Sequence, residues 1–176
     1  MFKGKKVRLR AYCEDDVEVA LNLIEEDGIK ELLHIGVMYP YSLDMEKNFV
    51  KTSMNPTGEC FNFAIERNEE KDYIGGCGIN KIDRKNSIAE IGIWLGKDFH
   101  GKGYGADALR LLCSFIFNEL NVNKIKLNYF EFNDNARKCY DAVGFKPEGI
   151  LRKEIYRYGR YSDVIAMGLF RNELKI

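Results

Sequence analysis

His100-Gly101-Lys102-Gly103-Tyr104-Gly105 stands between two strongly patterned runs. Ahead of it, Ile88-Ala89-Glu90-Ile91-Gly92-Ile93-Trp94-Leu95 reads as a mostly buried strand. Behind it, Leu109, Leu112, Cys113, Ile116 and Leu120 recur at the spacing of one apolar helix face. A glycine-rich turn that joins a strand to a helix gathers backbone N–H groups at the positive end of the helix dipole, which suits a phosphate or pyrophosphate. Glycine is the residue for such a turn, because a Cβ would block both the unusual backbone angles and the approach of a ligand.

The flanking sequence sets the fold class. Val7–Arg10 alternates as a first strand, and Glu14-Asp15-Asp16 opens a helix whose apolar face is Val17, Ala20, Leu21 and Ile24, with Gly28 as its stop. From Ile29 to Asn55 the pattern weakens to a short helix at Lys30–His34 and a loop through Tyr39–Ser42; such a stretch either lines a ligand site or simply packs. Phe61, Phe63 and Ile65 alternate with polar neighbours, a charged turn follows, and Tyr73–Ile79 resumes as a strand whose glycines imply close approach of backbone or ligand. After the glycine loop come a helix over about 103–119, a strand at Lys124–Tyr129 parallel to 88–95, and a short helix capped by Asn133 and ended by Gly144. Strands at about 145–157 and 164–169 close the chain. The class is α+β: a mixed, mostly antiparallel sheet with one βαβ unit in the middle, in a single domain spanning 1–176.

Composition narrows the functional classes. Lys+Arg and Asp+Glu both total 27, so no overall field points to nucleic acid or to an anionic membrane. No apolar run is long enough for a membrane helix, and Met1–Val7 has a basic start without an apolar core, so a cytoplasmic location is expected. Cys13, Cys60, Cys77, Cys113 and Cys139 are scattered, as are His34 and His100, so neither a disulfide framework nor a metal site is expected.

Three phosphate ligands compete for the loop. A P-loop lacks its GxxxxGK[ST] pattern, since Gly103 follows Lys102. A dinucleotide site has Gly101, Gly103 and Ala106 in GxGxx[GA] order and Glu131 as a ribose acid, but the chain before the loop reads as antiparallel and the remainder is too short for a doubly wound sheet. The third reading rests on two segments in order. His100–Gly105 resembles the [Gln/Arg]-x-x-Gly-x-[Gly/Ala] pyrophosphate loop of the GCN5-related N-acetyltransferases, and Asn133-x-x-Ala136-x-x-x-Tyr140-x-x-x-Gly144-Phe145 resembles their second signature. Val7–Arg10 and Tyr158–Asp163 are similar to the opening strand and closing hairpin of the ribosomal-protein N-terminal acetyltransferase and spermidine acetyltransferase branch. The resemblance spans essentially the whole chain and departs at His100, where the family carries Gln or Arg.

The resemblance implies a sheet of about seven strands with helices on both faces, and acetyl-CoA as cosubstrate without a metal. It implies acetyl transfer to a primary amine by direct attack through a tetrahedral intermediate. The backbone of Ile93, Trp94 and Leu95 is expected to pair with the pantetheine arm. The N–H groups of His100, Gly101, Lys102, Gly103, Tyr104, Gly105 and Ala106 are expected to hold the pyrophosphate, with Asn133 across the cofactor. Lys102 is either a phosphate partner or a solvated charge, and the His100 side chain either a cation or a surface group. Tyr140 falls where the family places its general acid. Glu90 shares a strand face with Gly92 and Trp94 and is the candidate base, with a salt bridge across the sheet as the competing role.

The acceptor is left open between a polyamine or other small amine and a protein N-terminus. Glu25, Glu26, Asp27, Glu31 and Asp44 are acids for a polycation, or else a solvated face. Members of this branch often self-associate, so a homo-oligomer is an expectation. A non-catalytic acyl-CoA-binding module is the alternative to an enzyme.

Overall fold

A computed structural model describes residues 2–33, 36–56 and 60–176. Its centre is one seven-stranded sheet of order β1-β2-β3-β4-β5-β7-β6. The strands are β1 (Val7–Arg10), β2 (Asn62–Arg67), β3 (Tyr73–Asp83), β4 (Ile88–Leu95), β5 (Lys124–Phe130), β6 (Lys146–Arg157) and β7 (Arg160–Phe170). Among the described residues, only β4 and β5 pair in parallel, because helix α3 (Tyr104–Glu119) carries the chain between them. The other neighbouring strands run antiparallel.

Alternation along the strands separates two cores. Ile65, Ile74, Ile79 and Ile91 face α3, whose Leu109, Leu112, Cys113 and Ile116 are fully buried, and α4 (Asp134–Val143) adds Tyr140 and Val143 to this face. The neighbouring Ala64 and Tyr73 turn to the opposite face, where Val17 and Ala20 of α1 (Asp16–Glu25) and Val50 of α2 (Leu43–Met54) cover them. Helices therefore lie on both faces, as the α+β expectation had it.

Two sequence expectations change. The weakly patterned region contains α2, begun by Ser42, whose Oγ accepts the Met45 N–H at 3.2 Å. Its buried positions are Glu46, Val50 and Ser53, so the buried stripe is mostly polar and gives no apolar period. The short helix expected at Lys30–His34 is a 3₁₀ turn at Lys30–Leu32, and His34 lies outside the described residues. The glycines of β3 do meet close neighbours, but these are protein groups. A Cβ at Gly76 would collide with the Tyr12 hydroxyl, and one at Gly75 with the Trp94 carbonyl.

The N-terminal strand is fastened to α3 by a buried carboxylate. Asp107 accepts the backbone N–H groups of Lys5 (3.3 Å), Lys6 (2.8 Å) and Val7 (3.1 Å). Lys6 Nζ then donates to the Lys102 carbonyl at 2.6 Å, which ties the glycine loop to the same corner.

Candidate active site

The site begins where the two parallel strands part. β4 pairs with β5 only from Ile88 to Glu90; beyond Glu90, β4 has β3 as its sole strand partner, and β5 continues against β7. The Gly96 N–H donates to the Ile74 carbonyl at 3.0 Å, which fixes the alternation along β4. Trp94 turns its main chain toward β3, while Ile93 and Leu95 turn theirs into the gap. Of the three residues expected to pair with an extended ligand arm, two therefore present backbone groups and Trp94 presents its ring. The gap opens on a cavity of about 820 Å³ lined by β4, β5, the glycine loop, α4 and the α1–α2 side.

The loop forms the mouth of this cavity. Gly101 and Gly103 sit at φ +71° and +84°, the left-handed region that favours glycine, and Gly103 is the N-cap of α3. The Asp107 N–H is engaged with the Gly103 carbonyl at 3.1 Å, so the N–H groups of Tyr104, Gly105 and Ala106 project from the helix end without a helical partner. They are the donors an anion would meet. His100 does something different. Its N–H donates to the Lys97 carbonyl (3.2 Å), and its Nε2 lies 2.9 Å from the Leu95 carbonyl. A carbonyl only accepts, so Nε2 carries a proton, and the ring staples the loop to the end of β4. The Lys102 side chain is exposed, and neither Lys102 nor Tyr104 lines the cavity. The Tyr104 ring turns away to Phe99, with centroids 6.4 Å apart, and lies under Lys6.

The remaining expected residues do line it. Tyr140, on α4, is 7% exposed and packs against Tyr129 and Phe145, with ring centroids 5.8 and 5.9 Å away. Burial pushes its phenol well above the ordinary tyrosine range, so it holds its proton throughout the physiological pH span. Asn133 caps α4 by accepting the Ala136 N–H on Oδ1 at 3.0 Å, which leaves its NH₂ as the group it can offer a ligand. Glu90 is on the wall too, but its side chain is 31% exposed and lies 3.1 Å from Lys126 Nζ on β5. The apolar surroundings expected for it are absent on that side: it is both wetted and paired.

Sequence reasoning left the Ile29–Asn55 stretch open between lining a ligand site and plain packing, took Trp94 only for its backbone, and did not name Tyr12, Glu46, Phe49, Asn62 or Asn80 for the site. Tyr12, Tyr41, Phe49, Asn62, Asn80 and Trp94 line the far end of the cavity together with Glu46. Asp16, Glu46, Glu66 and Asp107 are the buried carboxylates among the described residues. Asp16 takes Arg10 at 2.7 Å, Glu66 takes Arg8 and Arg10 at 2.6 Å each, and Asp107 takes three N–H groups. Glu46 differs: it is 1% exposed and its Oε1 is buried with no hydrogen-bond partner. Burial alone pushes its carboxyl up to about 7. The one signal in sequence was position, since Glu46 precedes Val50 by four residues on what proves to be the inward helix face.

The acids proposed for a polycation lie elsewhere. Glu25 pairs with Lys30 and accepts the Tyr41 N–H, and Glu26 accepts the Lys97 N–H at 2.9 Å. Neither these nor Asp27, Glu31 and Asp44 line the cavity. Glu131, the ribose acid of the dinucleotide reading, accepts the Asp163 N–H at 3.1 Å in the sheet's outer hairpin, and the sheet is not doubly wound.

Several known proteins are similar to this chain. A Bacillus licheniformis protein named uncharacterized N-acetyltransferase p20 is 28% identical over 96% of this chain and 95% of its own. The putative ribosomal N-acetyltransferase YdaF of Bacillus subtilis is 32% identical over 56% of this chain and 54% of its own. The crystal structure of a Vibrio cholerae spermidine N-acetyltransferase with CoA and spermine superposes with a TM-score of 0.82 at 26% identity, covering 95% of this chain and 96% of that one. Residues 6–146 match the family model described as acetyltransferase (GNAT) domain. With that match over most of its length, the chain belongs to the GNAT acetyltransferase family.

Proposed function

We propose that this protein is an N-acetyltransferase that moves the acetyl group of acetyl-CoA to a primary amine inside the cavity between β4 and β5. The observation that carries the reading is a single one: the free backbone edge at Ile93 and Leu95, the outward N–H groups at the start of α3 and the Tyr140 side chain all border the same gap. Acetyl-CoA brings an activated thioester, and each of these groups has work at one part of it. The edge of β4 holds an extended arm as an added strand is held. The N–H groups of Gly101, Gly105 and Ala106 face the diphosphate, His100 keeps their loop in shape, and the Asn133 NH₂ meets the cofactor from across the gap. The Ile93 and Leu95 N–H groups are also the donors placed for the oxyanion that develops at the carbonyl.

Tyr140 supplies the proton side of the leaving thiolate. Because burial keeps its hydroxyl protonated, it acts first as a hydrogen-bond donor, and the proton moves only as thiolate charge develops. Glu90 is assigned the proton of the attacking ammonium, by way of water, with Lys126 fixing where its carboxylate points. The acceptor class is a small amine or a protein N-terminus; a spermidine N-acetyltransferase and a putative ribosomal N-acetyltransferase are among the proteins this chain resembles. We place the reaction in the cytoplasm, the compartment that keeps the unpaired cysteines of this chain reduced.

Release of free thiol from acetyl-CoA, followed with a panel of amines and peptides, tests this directly. Amine-dependent release with stoichiometric acetylated product is expected. CoA binding without release for any member of the panel would reduce the protein to an acyl-CoA-binding module.

A further inference from the structure

Among the buried acids, Glu46 is the one with no structural work. Asp16, Glu66 and Asp107 are each satisfied by cations or backbone N–H groups, and removal of any of them would strand those partners. Glu46 strands nothing among the described residues: its Oε1 is buried without a hydrogen-bond partner, and burial alone, with no hydrogen bond or ion pair, acts on its carboxyl. A buried carboxylate without a partner is costly, and such a cost persists where a ligand supplies what is missing. Here the carboxylate sits on the wall of the cavity that would receive the acceptor, among Tyr12, Tyr41, Phe49 and the Ile29–Leu33 turn. The missing partner is a cation with hydrogen-bond donors, and a primary ammonium has three.

We infer that Glu46 is the acceptor-binding carboxylate, and that the site takes a primary monoamine with an apolar or aromatic flank rather than a polyamine. This rests on the acetyl-transfer reading above for the identity of the chamber. The preference for a single charge follows from what else lines it. The other carboxylate on the wall, Glu90, already has Lys126 at 3.1 Å. The acids at 25–27, 31 and 44 stay outside the cavity, so a second ammonium would meet tyrosines, Phe49, aliphatic side chains and the amides of Asn62 and Asn80, but no further carboxylate. One ammonium with a ring or alkyl group beside it fits both the charge and the walls.

The charged and titratable neighbours bear this out. Tyr12 from the loop after β1, Tyr41 ahead of α2 and Tyr73 from β3 all feel the Glu46 charge, and burial raises all three phenols, so they stay neutral. The charge of Asp16 on α1 also raises Tyr12 and Tyr73, and Asp16 itself is held by Arg10. No cation among them competes for Glu46. Since burial leaves its carboxyl titrating at about 7, capture of an ammonium at neutral pH releases part of a proton to the buffer.

Titration calorimetry on the CoA-loaded protein tests the proposal without relying on turnover. 2-Phenylethylamine, spermidine and a phenylalanine-initiated tripeptide amide serve as probes, the first and last separating a free amine from a chain N-terminus. At least one of these two should bind at least ten-fold tighter than spermidine, with proton release that disappears above pH 8. Glu46→Gln, nearly isosteric, should weaken that binding at least ten-fold while CoA affinity stays within two-fold. In turnover the loss should fall on KM more than on kcat. Tighter binding of spermidine, or amine affinity unchanged in Glu46→Gln, overturns the inference. Binding that follows these expectations with no acetyl transfer to any probe would instead refute the enzymatic reading and leave the amine site standing.

Discussion

Replacing Glu46 by Gln should make the protein more stable above neutral pH and nearly unchanged in acid. The folded protein pushes this carboxyl up to about 7 from its ordinary 4.5, with burial as the cause. The sign follows from proton counting. Between pH 4.5 and 7 the unfolded chain has released the Glu46 proton and the folded chain has kept it, so stability falls as pH rises through that window and stays low above it. At roughly 1.36 kcal/mol per pKa unit, the ionised carboxylate costs the fold about 3 kcal/mol at pH 8. Gln removes the charge but leaves a buried amide with few partners, so a net gain of about 2 kcal/mol is expected. For a chain of this length that is roughly 4–8 °C in Tm. At pH 5 most of the wild-type cost is gone, and the gap should shrink below about 1 kcal/mol. Chemical denaturation at pH 5, 6, 7 and 8, without CoA or amine, measures it. A gap between the two proteins that is the same at every pH would refute the assignment of a buried, unpartnered carboxylate.

Three further substitutions address the rest of the site. Tyr140→Phe should lower kcat by roughly ten-fold or more with CoA affinity nearly intact, as expected for the loss of a group that donates to the leaving thiolate; an unchanged kcat removes Tyr140 from the chemistry. Glu90→Gln should shift or abolish the acid limb of the kcat/KM profile at a stability cost below about 1 kcal/mol, since its ion pair is partly exposed; a superimposable profile would leave Glu90 as a salt-bridge partner only. Asp107→Ala should cost about 3 kcal/mol by stranding the N–H groups of Lys5, Lys6 and Val7, and should weaken CoA binding through the loop that Lys6 holds. A loss under about 1 kcal/mol by denaturation would show that those groups find other partners.

The proposed donor half of the site rests on local chemistry that the sequence carries in one stretch. A strand, two left-handed glycines and a helix start must be adjacent in the chain to hold a diphosphate, and so they leave a contiguous trace at 88–106. Asn133 and Gly144 likewise bracket α4 within a few residues. The acceptor half is assembled from distant pieces. Tyr12 reaches Gly76, Glu46 reaches the chamber from a helix with a polar buried stripe, and Trp94 joins them from β4. No short-range period encodes such a gathering: the acids dense along the chain at 25–27 lie off the cavity, whereas Glu46, with Asp44 as the one acid near it in sequence, lines it. For His100 the difficulty was of another kind. Its ring bonds a carbonyl five residues earlier, a contact that no motif anticipates.

The strand order also has a consequence for biosynthesis. β5 forms one wall of the donor gap, yet beyond Lys126 its only strand partner is β7, which the ribosome releases some thirty residues later and which slots between β5 and β6. Until residue 170 has emerged, both β5 and the twelve-residue β6 expose unpaired backbone edges. A chain stalled or clipped near Tyr158 would therefore retain both signature motifs and still be an aggregation-prone fragment with half of its binding cleft unsupported. Pairing of β7 with both β5 and β6 is thus what closes these edges and braces the wall of the cleft.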